Sequence, residues 1–187
     1  AIAAALKERY GIPTVPHMIC SGFSRSELEN ELIDLSYLGI TDLLILRGDR
    51  AKGENRFIPM LDGHEHALDL CHQVEDFNNG LMIDGSAHEP LGKTFSYGVA
   101  GYPEKHEEAM NMDIDIEYLK AKINAGAKYV VTQMFFDNQK YFDFAENFID
   151  YYVNEDGSIL RYDKSKYNLD DINEGRVLFE LYNKTKK

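Results

Sequence analysis

The sequence predicts an α/β fold built on a parallel sheet, and three observations predict it. Four short β-prone runs alternate with stretches patterned as helices. The run Leu43-Leu44-Ile45-Leu46 is apolar throughout, as a strand buried on both faces requires. Each of the four runs also carries polar residues late, and parallel α/β folds bind ligands at the carboxyl ends of their strands.

Taken in order, residues 1–10 are alanine-rich and helix-prone, and Gly11-Ile12-Pro13 stops them. A chain that opens inside a helix is expected to lack its beginning. The first strand is Thr14-Val15-Pro16-His17-Met18-Ile19-Cys20. Ser24 or Ser26 can cap the next helix, in which Leu28, Leu32, Leu35 and Leu38 recur at spacings of three and four until Gly39 ends it. The second strand begins near Asp42 and breaks off at Arg47-Gly48-Asp49. Residues 50–63 turn to Lys, Gly, Glu, Asn and Pro, a long loop of the kind that is functional or disordered. Residues 64–77 resume a helical pattern through Ala67, Leu70, Cys71 and Val74, and residues 78–93 are irregular.

The third strand runs from Phe95 into Gly101-Tyr102-Pro103-Glu104-Lys105-His106. Asp113 or Asp115 can cap a helix carrying Ile116, Leu119 and Ile123, which Gly126 stops before the fourth strand, Tyr129 to Asp137. A helix over residues 138–149 follows, but no further strand. The texture changes near Phe144: five of the twelve tyrosines fall in residues 148–187, Asn154-Glu155-Asp156-Gly157-Ser158 is a turn signal, and Val177, Leu178, Leu181 and Tyr182 recur at helical spacing. The expected division is therefore 1–144 and 145–187. An open doubly wound sheet and a segment of an eight-stranded barrel both fit the alternation. No Gly-x-Gly-x-x-Gly follows a strand, which disfavours the dinucleotide-binding version.

A formal charge of −12, without a Lys/Arg cluster before the last residues, argues against nucleic acid or an anionic membrane surface as partner. No run approaches the roughly 18 apolar residues of a membrane span and no charged-then-apolar leader opens the chain, so it reads as cytoplasmic. Cys20 and Cys71 are expected to be reduced, buried thiols. His64, His66, Cys71 and His72 match neither zinc-finger nor His-Glu-x-x-His spacing, so no metal is expected. A nucleophile elbow and a Walker loop are absent, which removes hydrolase and phosphoryl-transfer readings by motif.

Two places carry candidate chemistry. Arg47-Gly48-Asp49 is either a strand exit with a surface ion pair or a fixed carboxylate poised to stabilise positive charge. Gln133 lies in an apolar run, where an unpaired buried amide would cost about 1–3 kcal/mol, so a partner or ligand is expected. His17 can be a core histidine or a ligand contact, and His106 sits on the loop leaving the third strand.

In order and spacing, Pro16-His17-Met18-Ile19-Cys20, Leu46-Arg47-Gly48-Asp49, Gly101-Tyr102-Pro103-Glu104-Lys105-His106, Ala125-Gly126-Ala127 and Thr132-Gln133-Met134-Phe135-Phe136-Asp137 resemble methylenetetrahydrofolate reductase over residues 1–144. The resemblance implies part of a (β/α)8 TIM barrel, about four parallel strands with helices, followed by a short mainly helical tail. It implies FAD as cofactor, NADH or NADPH as electron donor, and a folate substrate. His17, Leu46, Arg47, Gly48, Asp49, Tyr102 and His106 would contact FAD. His66 and Ala67 stand where the family has Tyr-Ala, the histidine being a departure. Asp115, Tyr118, Ala121 and Lys122 would complete the cofactor contacts. Asp115 and Lys122 match by type, whereas Ala121 replaces an arginine and Tyr118 an asparagine.

Catalytic roles are implied for Asp49, whose charge would favour a cationic iminium substrate, and for Gln133, which would hydrogen-bond the pterin. The chain begins about where the family's third strand begins, so the resemblance places the first two strands, with the glutamate general acid, and the last two outside it. Such a half barrel would pair as a homo-oligomer or with a complementary barrel half. A second likeness, from Ile149 to Asn173, is to the opening helices of unsaturated glucuronyl or rhamnogalacturonyl hydrolases. The alternatives to a reductase are thus a non-catalytic flavin- or folate-binding fragment and a truncated carbohydrate-active hydrolase.

Overall fold

In a computed structural model, residues 2–89, 92–156 and 158–160 are described. The elements alternate as α1 (Ile2–Tyr10), β1 (His17–Ile19), α2 (Arg25–Tyr37), β2 (Asp42–Leu46), α3 (Ala67–Asn78), β3 (Ser96–Gly101), α4 (Met112–Ala125), β4 (Tyr129–Thr132) and α5 (Asn138–Ile149). The strands form one sheet in the order β1-β2-β3-β4. β1 pairs with β2 and β2 with β3 in parallel, and Lys128 and Gln133 donate to Tyr97 O and Gly101 O, carrying the same direction into β4. Consecutive order without a reversal separates the two architectures that the alternation allowed. A doubly wound sheet turns back at a switch point, whereas a barrel adds each strand on the same side. The fold is the α/β arrangement of a partial barrel.

Local sequence explains the helix limits. Ser24 caps α2: its side chain accepts from Glu27 N–H while the Glu27 carboxylate accepts from Ser24 N–H at 2.8 Å, a reciprocal box. Gly39, at φ +65°, closes the other end by donating to Ser36 O. The expected cap of α4 is corrected. The helix starts at Met112, so Asp113 and Asp115 lie inside its first turn, and Asn111 Oδ1 accepts from Ile114 N–H. The expected helix over residues 64–77 likewise begins later, at Ala67.

The described chain divides into two compact units, one of residues through Ala100 with Tyr118–Val131, the other of Gly101–Glu117 with the described residues from Thr132 on. In the first, register and alternation put Met18, Leu43, Ile45, Tyr97 and Val99 on one face of the sheet, all nearly inaccessible to solvent. α3 packs on β2 and on α2, and Leu70 and Val74 of α3 and Leu28 and Leu32 of α2 are all buried. The other face carries His17, Ile19, Leu44, Leu46 and Gly98. Gly98 leaves room for the ring of Tyr129, whose hydroxyl donates to Leu43 O at 2.8 Å.

In the second unit, α5 is capped by Asp137, which accepts from Gln139 and Lys140 N–H. It buries Phe144, Ala145 and Ile149. The turn expected at 154–158 is present: Asn154 N–H donates to Ser158 O, and Val153 bridges Ile159 antiparallel. That short stretch of the expected helical tail is therefore a turn, and the helical spacing at Val177 to Tyr182 lies outside the described residues.

Candidate functional site

The corner at the carboxyl end of β2 is where the first unit gathers its candidate residues. Pairing of β1 and β2 continues past both strands, with Cys20 N–H donating to Leu46 O at 3.3 Å and Ser21 N–H to Arg47 O at 3.0 Å. The Ser21 hydroxyl then donates to Asp49 O at 3.1 Å. Gly48 makes this closeness feasible. It sits at φ +84°, and a Cβ there would lie 2.7 Å from Ser21 Cβ. The Asp49 carboxylate is exposed beyond this corner.

Cys20 joins the corner to α3. Its thiol lies 3.6 Å from both Leu46 O and His66 O, so the end of β2 and the start of α3 are held one sulfur apart. Burial pushes the Cys20 thiol up to about 12, with the Asp69 carboxylate adding to the rise and Arg47 opposing it. His66 is the residue before the helix. Its backbone N–H donates to Asp69 Oδ2 at 2.8 Å, and its side chain is exposed. Leu46, Arg47, Gly48, Asp49, His66 and Ala67 are thus brought together. A helix amino terminus with its partial positive charge adjoins them.

Other expected residues of this unit lie elsewhere. His17 is exposed and stands at the first position of β1, opposite Leu44, not at the carboxyl end. On α4, Tyr118 is exposed, Ala121 is half-buried, and Lys122 Nζ donates to Ala100 O at 2.9 Å. His64 and His72 do not join His66. The His64 ring is buried with Nε2 2.5 Å from Gln73 Oε1, while Gln73 Nε2 donates to Arg25 O, so His64 is the donor of that pair. Among the described residues, no group of three His, Cys, Asp or Glu could hold a metal.

In the second unit, Tyr102 and His106 meet edge to face with centroids 4.7 Å apart. Asp115 Oδ2 accepts from His106 N–H at 2.7 Å, and Glu108 N–H donates to His106 Nδ1, which leaves Nε2 as the protonated nitrogen. Lys105, at φ +71°, turns the loop and donates to His106 O and Ala109 O. The expectation for Gln133 is overturned in its premise. Gln133 lies one residue past β4, its backbone N–H bonds Gly101 O, and its side chain is exposed. The reason is position: among the described residues β4 is the last strand of the sheet, and its four residues are exposed or half-buried in alternation.

Sequence reasoning missed two residues of this neighbourhood. Cys20 was legible only as a buried thiol, although it closes the Pro-His-x-x-Cys motif. Phe57, over which the Arg47 guanidinium lies at 4.8 Å, sits in a loop with no periodic signal.

Comparison with known proteins shows the family. The family described as Methylenetetrahydrofolate reductase matches residues 1–158. A Saccharomyces cerevisiae protein named methylenetetrahydrofolate reductase 2 is 33% identical over 138 residues, covering 73% of this chain and 21% of the relative. A Caenorhabditis elegans protein named probable methylenetetrahydrofolate reductase (NADPH) is 32% identical over 148 residues, 79% of this chain and 20% of the relative. An Arabidopsis thaliana protein named methylenetetrahydrofolate reductase (NADH) 1 is 28% identical over 155 residues, 78% and 24%. The matched stretch therefore spans about a fifth to a quarter of these relatives. The family match takes in residues 149–158, where the hydrolase likeness began. That likeness finds no support, and its course from Arg161 to Asn173 lies outside the described residues. This chain belongs to the methylenetetrahydrofolate reductase family, whose named members are reductases.

Proposed function

We propose that this chain carries the flavin-side machinery of a methylenetetrahydrofolate reductase, with FAD as cofactor and NADH or NADPH as donor. When bound, FAD supplies hydride transfer from the nicotinamide to methylenetetrahydrofolate, giving 5-methyltetrahydrofolate. The observation that carries the reading is the corner of the first unit, where Gly48 clears the close approach of two strand ends beside the start of α3. Bare backbone, an arginine and a helix amino terminus in one place suit a phosphate-bearing aromatic cofactor. In this reading Leu46, Arg47, Gly48, His66 and Ala67 hold FAD from the first unit, with His17, Tyr118, Ala121 and Lys122 as further contacts. Tyr102, His106 and Asp115 are the second unit's own cofactor-contact candidates.

Asp49 has the catalytic role. Ser21 holds the Asp49 backbone at the corner through its carbonyl oxygen, and the exposed carboxylate beyond it favours a cationic, iminium form of the folate over the neutral one. Gln133 presents an exposed amide for the pterin, which suits a substrate contact better than a buried one. Asp115 holds the turn bearing His106, and His106 offers its Nε2–H as a donor.

A titration of the chain with FAD, followed by quenching of flavin fluorescence, tests this. Saturable binding weakened about tenfold or more by Arg47→Ala is expected. Asp49→Ala is expected to spare binding more than it spares the folate-dependent oxidation of NADH or NADPH. FAD binding without any such oxidation would select the non-catalytic flavin-binding reading. Absence of FAD binding by a folded chain would refute both.

A further inference from the structure

The loop of residues 50–63 leaves the Arg47-Gly48-Asp49 corner, and its far half is pinned to α2 and α3. The Asp62 carboxylate pairs with Arg25, and Arg25 N–H donates to Asp62 O at 3.1 Å. Gly63 lies so near Phe23 that a Cβ would stand 2.7 Å from its carbonyl oxygen, and His64 is locked to Gln73. The near half is tied differently. There the Arg47 guanidinium carbon sits over the Phe57 ring, 4.8 Å from its centroid. Phe57 is half-buried, whereas Ile58, Met60 and Leu61 beside it are 57%, 50% and 92% exposed. In this apolar stretch it is Phe57 that turns onto the corner.

We infer that Phe57 is a positioning residue for Arg47, its ring holding the guanidinium over the carboxyl end of β2 in the orientation from which Arg47 meets the cofactor. The inference rests on the flavin reading above. An arginine at a strand end samples many rotamers, and binding must freeze one of them. A ring beneath the cation attracts it through the ring quadrupole and restricts those rotamers beforehand. The far-half anchors serve the same end, because they fix the loop that delivers Phe57.

The test uses the full chain and two readouts. For FAD titration, Phe57→Ala is expected to weaken binding about two- to fivefold, the range of an exposed cation–π contact. Phe57→Leu, which keeps apolar bulk without a π face, should weaken it similarly, and Phe57→Trp should restore it. On an Arg47→Ala background, Phe57→Ala should add nothing. The chain contains no tryptophan, so the emission of the Phe57→Trp variant reports the contact without flavin. That emission should shift when Arg47→Ala is added. Binding that depends on Arg47 but ignores Phe57→Ala, or equals wild type in Phe57→Leu, overturns the inference and leaves the flavin reading intact. An emission unmoved by Arg47→Ala also overturns it. An emission that shifts in a chain that takes up no FAD refutes the flavin reading, and with it the positioning role, while the contact itself survives.

Discussion

Gly48 shows how much one residue decides here. Its φ of +84° is costly for any side chain, and the Cβ position is already claimed by Ser21 Cβ at 2.7 Å. Gly48→Ala should therefore destabilise the chain by about 1–3 kcal/mol, read as a lowered urea midpoint. It should also weaken FAD binding, because the corner opens when Ser21 is pushed away. An equal midpoint for the two chains would show that the corner relaxes freely. The motif Leu-Arg-Gly-Asp made this glycine visible in the sequence, but its physical role was not visible. That role depends on Ser21, which is distant in sequence and adjacent only because β1 and β2 pair in parallel.

At the scale of elements, the helix patterns were legible because their causes are local. Ser24 with Glu27 three residues on, Gly39 after the last leucine, and the span 138–149 all use contacts within one or two turns. The α4 cap shows the limit of this. Asn111, Asp113 and Asp115 are all competent caps by type, and Asp115 is engaged instead by His106 N–H. The sheet supplies a sharper case. A Cβ on Gly98 would fall 2.1 Å from a ring carbon of Tyr129. Gly98→Ala is expected to cost about 1–3 kcal/mol by displacing that ring and breaking the Tyr129 hydroxyl bond to Leu43 O. Adding Tyr129→Ala should make the glycine substitution nearly neutral, and thermal melts of the four chains in a double-mutant cycle would check it.

For the whole molecule, the buried thiols tie stability to pH. Burial leads in holding both Cys20 and Cys71 at about 12, against 9.0 for the free thiol. Because the folded chain keeps these protons longer than the unfolded one, the stability they contribute is complete below pH 9. It is lost as pH rises from 9 toward 12, with a slope near 1.4 kcal/mol per pH unit for each thiol. Urea midpoints measured between pH 8 and 11 should fall, and Cys20→Ala should flatten the fall. In the native chain at pH 8 neither thiol should react with iodoacetamide, as intact mass would show. Among the described residues no helix is long and apolar enough to cross a membrane.

By itself the sequence determined the alternation of strands and helices, the serine cap and glycine stop of α2, and the reductase family. These depend on periodicity, on short-range hydrogen bonds and on motif spacing, all of which are written along the chain. The alternation alone left a barrel segment and a doubly wound sheet open; the family resemblance implied the barrel, and the strand order of the tertiary structure agrees with it, strand order being a matter of which edge each strand joins. Only the tertiary structure decided the places of single residues. Gln133 looked buried among apolar neighbours and is exposed just past β4, the last strand among the described residues, and His17, read as a core histidine or a ligand contact, is exposed at the start of β1. Cys20 and Phe57 acquired their places only when β2, α3 and the loop between them met in space.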